Sequence, residues 1–72
     1  MDEKTKKANF KRLAESRTQK IIKSIETLGN LSNRSNYEYS DEQVDRIFNT
    51  IEEELRIQKA KFKRGGKNKF RL

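Results

Sequence analysis

Tyr39-Ser40-Asp41-Glu42-Gln43-Val44-Asp45-Arg46-Ile47-Phe48-Asn49-Thr50-Ile51 is the stretch on which the fold turns. Ser40 can cap a helix, Gln43 three positions on can reach back, and Tyr39 can pack on Val44 as a hydrophobic staple. Asp41, Glu42 and Asp45 fall where the positive end of the helix dipole favours acids. Downstream, Val44, Ile47, Phe48, Ile51, Leu55 and Phe62 form a stripe close to an a/d repeat, with Gln58 at its polar gap. Gly65-Gly66 closes the pattern, and Lys61, Lys63 and Arg64 face the negative dipole end in the last turn. The spacing predicts a helix over about 41–64.

Upstream, Phe10, Leu13, Ala14, Ile21, Ile25 and Leu28 share one face, which predicts a helix over about 4–28. Arg17 interrupts this stripe, and Ile22 lies beside it and widens it. Gly29 is expected to close the helix in the left-handed conformation. Residues 29–40 are expected as an ordered polar loop, with Asn30, Asn33, Asn36, Ser32 and Ser35 making local turns and Leu31, Tyr37 and Tyr39 plugging its end. The expected fold is all-α: an antiparallel two-helix hairpin over 1–64 with an ordered interhelical loop, then a flexible basic tail over 65–72. Setting Leu28 beside Val44 would put Ile21 opposite Ile51, Arg17 opposite Leu55 and Phe10 opposite Phe62, with Arg17 and Lys20 near Glu52, Glu53 and Glu54. Ile22, Ile47 and Ile57, at the stripe margins, are left for a second contact: a homodimer or a larger protein partner.

Composition narrows the function. A single core in a chain of 72 residues rarely supplies more than about 3–5 kcal/mol. Cys and His are both absent, which removes disulfides, the usual transition-metal ligands, the thiol nucleophile and the imidazole base. Glu52, Glu53 and Glu54 are adjacent on a helix and point about 100° apart, so they do not converge as a chelate. No phosphate-binding glycine loop, triad or metal spacing appears, so the expectation is no enzyme, no metal and no cofactor. No apolar run approaches the roughly 18 residues of a membrane span, and the charged start has no apolar leader core. The chain is therefore expected to be cytoplasmic, of bacterial or phage type.

Charge is the strongest functional signal. Arg56 to Leu72 holds eight Lys or Arg and no acid, more than the whole formal excess of +7. Such a block calls for a polyanionic partner. In a hairpin, Lys4, Lys6, Lys7, Lys11 and Arg12 would join Lys59, Lys61, Lys63, Arg64, Lys67, Lys69 and Arg71 in one positive pole. Glycines would let the tail follow phosphates, and Phe62 and Phe70 are candidates for stacking on bases or anchoring. The expected function is non-enzymatic binding of nucleic acid, DNA or RNA, through that pole. The competing expectation is an adaptor or inhibitor that docks its helical face, or the loop residues Asn33, Arg34, Asn36 and Tyr37, on a larger nucleic-acid-processing enzyme.

The stretch Gly29-Asn30-Leu31-Ser32-Asn33-Arg34-Ser35-Asn36-Tyr37-Glu38-Tyr39, followed by Val44, Ile47-Phe48, Ile51 and Leu55, resembles small bacterial proteins of plasmids, phages and other mobile elements. The resemblance spans about 10–62 and leaves the basic tail outside. It implies a setting and no activity: a cytoplasmic accessory protein in replication, regulation or host interference.

Overall fold

A computed structural model describes residues 2–63. It is all-α: helix α1 spans Glu3–Gly29, a single 3-10 turn spans Asn30–Ser32, and helix α2 spans Asp41–Lys63, with no strand among the described residues. The expected tail, and with it the end of the second helix at Arg64, lies outside the described residues. The chain divides into two units, Met1–Glu38 and Tyr39–Leu72, each described by itself.

In the first unit, Asp2 caps α1. Its extended backbone (φ −84°, ψ 172°) leaves the side chain free to accept from the Thr5 N–H at 2.8 Å. Its carbonyl takes the first helical hydrogen bond, from the Lys6 N–H at 3.1 Å. The Thr5 N–H, otherwise an orphaned donor of the first turn, is satisfied there. Thr27, in the last turn of the helix, turns its hydroxyl back to donate to the Lys23 carbonyl at 3.0 Å.

The other end of α1 corrects the expectation for Gly29. That residue is helical, with φ −63° and ψ −24°, and no described residue has positive φ. The backbone stays right-handed through Asn30, whose N–H donates to the Glu26 carbonyl, and tightens into the 3-10 turn. Asn33 then stops the run: its backbone is extended (φ −70°, ψ 104°) and its side-chain oxygen accepts from the Ser35 N–H at 2.9 Å. The Asn33 carbonyl accepts from the N–H groups of Asn36 and Tyr37, at 3.1 and 3.0 Å. An Asx turn at Asn33, and no glycine, ends the helical backbone.

The second unit opens on the reciprocal cap that its sequence announces. The Gln43 N–H donates to Ser40 Oγ at 3.1 Å, and the Ser40 N–H donates to Gln43 Oε1 at 2.9 Å. Tyr39 and Val44 are both half-buried, as a staple requires, whereas most of α2 is exposed. Thr50 returns its hydroxyl to the Arg46 carbonyl at 2.7 Å.

No described residue is buried. Phe10 is 60% exposed, Ile21 52%, Leu55 54% and Phe62 75%, while Ala14, Leu28, Val44 and Ile51 are half-buried. Leu31 and Tyr37 are each about half exposed. The cause is geometric: a stripe on one face of a helix is shielded only by its own neighbouring turns until another surface covers it.

Candidate nucleic-acid interface

Five of the basic residues singled out above start α1. Lys4, Lys7 and Lys11 recur at three- and four-residue steps and so share a face, forming a row about 10 Å long at 1.5 Å per residue. Lys6 and Arg12 project from other sides of the same two turns. All five are exposed. No acid lies between Lys4 and Arg12, and Glu3 and Glu15 flank the row at either end.

The last turns of α2 carry Lys59, Lys61 and Lys63, all exposed, with Lys61 and Lys63 in the last described turn, where the helix dipole favours cations. Helical periodicity sets Lys59 and Lys63 on one face and Lys61 on another. Phe62, the residue singled out for stacking, is largely exposed beside them. Arg64, Lys67, Lys69, Phe70 and Arg71 lie outside the described residues.

Arg56, the first cation of the basic run, is already engaged. Its Nε and Nη2 donate to the two carboxylate oxygens of Glu53 at 3.1 and 2.6 Å, a fork-to-fork pair one helical turn apart. That hydrogen bonding, and then the attraction between the charges, lowers the Glu53 carboxyl below its ordinary range and raises Arg56. Glu54 accepts from Gln58 Nε2 at 2.6 Å. Two of the three acids that the expected register sets near Arg17 and Lys20, Glu53 and Glu54, therefore have partners on α2 itself. The signal was present in the i, i+3 spacing of Glu53 and Arg56.

The loop residues divide in two. Asn33 is committed to holding its own turn through both its side chain and its carbonyl. Arg34, Asn36 and Tyr37 line a shallow open depression with Ser35 and Glu38. No three His, Cys, Asp or Glu among the described residues gather as a metal site, and no described helix is long and apolar enough to cross a membrane.

No protein-family model, curated protein or solved structure matches the chain.

Proposed function

We propose that this is a small non-enzymatic accessory protein that binds nucleic acid through its two basic segments, Lys4 to Arg12 and Lys59 onward. One observation carries the reading: a run of eight Lys or Arg from Arg56 to Leu72 without an acid. The exposed lysine row at the start of α1 supports it. Phosphate contacts of this kind release counterions, so affinity falls steeply with salt and varies little with sequence. The loop resemblance favours a cytoplasmic bacterial setting on a mobile element, in replication or regulation. The test is fluorescence anisotropy with a labelled duplex and a labelled single strand, comparing the full chain with one lacking Gly65 to Leu72. Near-abolished binding on truncation, with helix content retained, supports the reading. Unchanged affinity at moderate salt defeats it.

A second reading rests on a separate observation, the exposed apolar stripes and the loop depression with Tyr37 at its edge. It makes the chain an adaptor or inhibitor of a larger nucleic-acid-processing enzyme. Arg34→Ala with Tyr37→Ala would then disrupt a salt-tolerant protein complex and leave nucleic-acid affinity unchanged. A pull-down from the source cell with and without nuclease separates the two readings.

A further inference from the structure

We propose that α2 is a self-association helix, which pairs antiparallel with α2 of a second copy of this chain. The first ground is the regularity of its apolar face. Val44, Phe48, Ile51, Leu55, Gln58 and Phe62 alternate steps of four and three without a slip, the seam of a two-stranded coiled coil. Along α2 this seam runs about 27 Å. Phe48, Leu55 and Phe62 remain between 40% and 75% exposed, so the seam has apolar area to cover. The stripe of α1 is a poorer candidate, because Arg17 interrupts it and the helix is basic from Lys4 to Lys23. Two copies of α1, with eight Lys or Arg against three Glu each, would carry like net charge.

The second ground is charge complementarity. The first part of α2 carries Asp41, Glu42, Asp45, Glu52, Glu53 and Glu54 against Arg46, and its last part carries Arg56, Lys59, Lys61 and Lys63 without an acid. An antiparallel partner sets each acidic end against a basic end and opposes the two helix dipoles. The seam closes on itself in this register: Val44 meets Phe62, Phe48 meets Gln58 and Ile51 meets Leu55 of the second copy, and each layer occurs twice, as a two-fold contact demands. Beside the seam, Asp45 lies across from Lys59 of the second copy, and the Lys61 stem covers Ile47 of the second copy. A parallel pair would gain a Glu54–Lys59 contact, but it would align the dipoles and stack six acids on six. The antiparallel pair has one adverse feature: Glu52 and Glu54 approach their own symmetry mates at its centre. Hence Glu52→Gln should tighten the antiparallel pair.

The experiment begins with the mass of the intact chain by sedimentation equilibrium, without nucleic acid. A monomer–dimer equilibrium in the micromolar range is expected, and a strict monomer up to millimolar concentration overturns the proposal. Asp45→Lys and Lys59→Asp should each weaken the dimer several-fold, and the two together in one chain should restore it. Residues 45 and 59 lie about 21 Å apart along one helix, so rescue requires them to meet between copies. Orientation is then read by cross-linking, since the chain has no cysteine of its own. Val44→Cys mixed with Phe62→Cys should form the mixed disulfide under a glutathione buffer. Preferential linking of Val44→Cys to itself shows a parallel pair and refutes the proposal.

Discussion

Gly29→Ala is expected to strengthen the end of α1, whereas a left-handed helix stop would make the same change harmful. Gly29 has φ −63° and ψ −24°, ordinary values for any L-residue in a helix, and an added Cβ would meet nothing within 4 Å. The substitution therefore introduces no strain and removes the backbone freedom that glycine loses on ordering. That difference is roughly 0.5–1 kcal/mol per helical position. Had Gly29 been left-handed, alanine would have cost about 1–2 kcal/mol instead, so the sign of the effect decides between the two geometries. The reporter is the Asn30 amide, whose hydrogen bond to the Glu26 carbonyl closes the last turn. A gain of 0.5–1 kcal/mol slows its exchange with solvent by about two- to five-fold, with RT near 0.6 kcal/mol. Faster exchange at Asn30, with loss of helical ellipticity, would refute the right-handed ending.

Three further outcomes follow from the caps and the charged residues. Ser40→Ala removes the acceptor of the Gln43 N–H and should cost α2 about 1 kcal/mol of helix stability, seen as lost ellipticity and faster exchange at Gln43; unchanged exchange there would count against the reciprocal cap. Acid should fray the start of α1: the Thr5 backbone hydrogen bond, then the Thr5 side chain, hold the Asp2 carboxyl below its ordinary 3.8. A lowered folded value means the cap is fully present above about 3.8 and is lost as pH falls through the folded value, so the Thr5 amide resonance should titrate below pH 3.8; a Thr5 amide that ignores pH in that range contradicts it. Finally, Glu53→Gln releases Arg56 from its fork and should steepen the salt dependence of duplex binding by about 0.9 in the log–log slope; an unaltered slope would show that Arg56 makes no phosphate contact.

The residues that announced themselves most clearly in the sequence were those with two independent local signals. At Ser40, the cap, the reaching Gln43 and the Tyr39–Val44 pair all agreed, and α2 begins where they place it. Gly29 offered one statistical signal, a glycine after the last periodic residue, and it misled. What decides there is whether the following residues continue the right-handed path, and Asn30 to Ser32 do so until the Asn33 turn stops them. Asp2 carries a cap signal of its own, and α1 begins directly after it at Glu3, one residue ahead of the start that periodicity predicts. Periodicity identified the apolar faces of both helices, but it carries no information on what covers them. Of the candidate site, the described part comprises the rows on α1 and at the end of α2; Arg56, counted in the run of eight cations but not placed in the site, is held by Glu53. Counting cannot see a bidentate partner one turn away; the i, i+3 spacing can.

The central claim is that the basic segments bind phosphates, and the slope of log affinity against log salt tests it most directly. Deleting Gly65 to Leu72 removes Lys67, Lys69 and Arg71. If all three contact duplex phosphates, the slope falls in magnitude by about 2.7, and the affinity lost between 50 and 200 mM salt shrinks about forty-fold. The full chain, stripped of nucleic acid by nuclease, should show the steep slope and the truncated chain the shallower one. Equal slopes for the two chains, or an affinity indifferent to salt, would contradict the account.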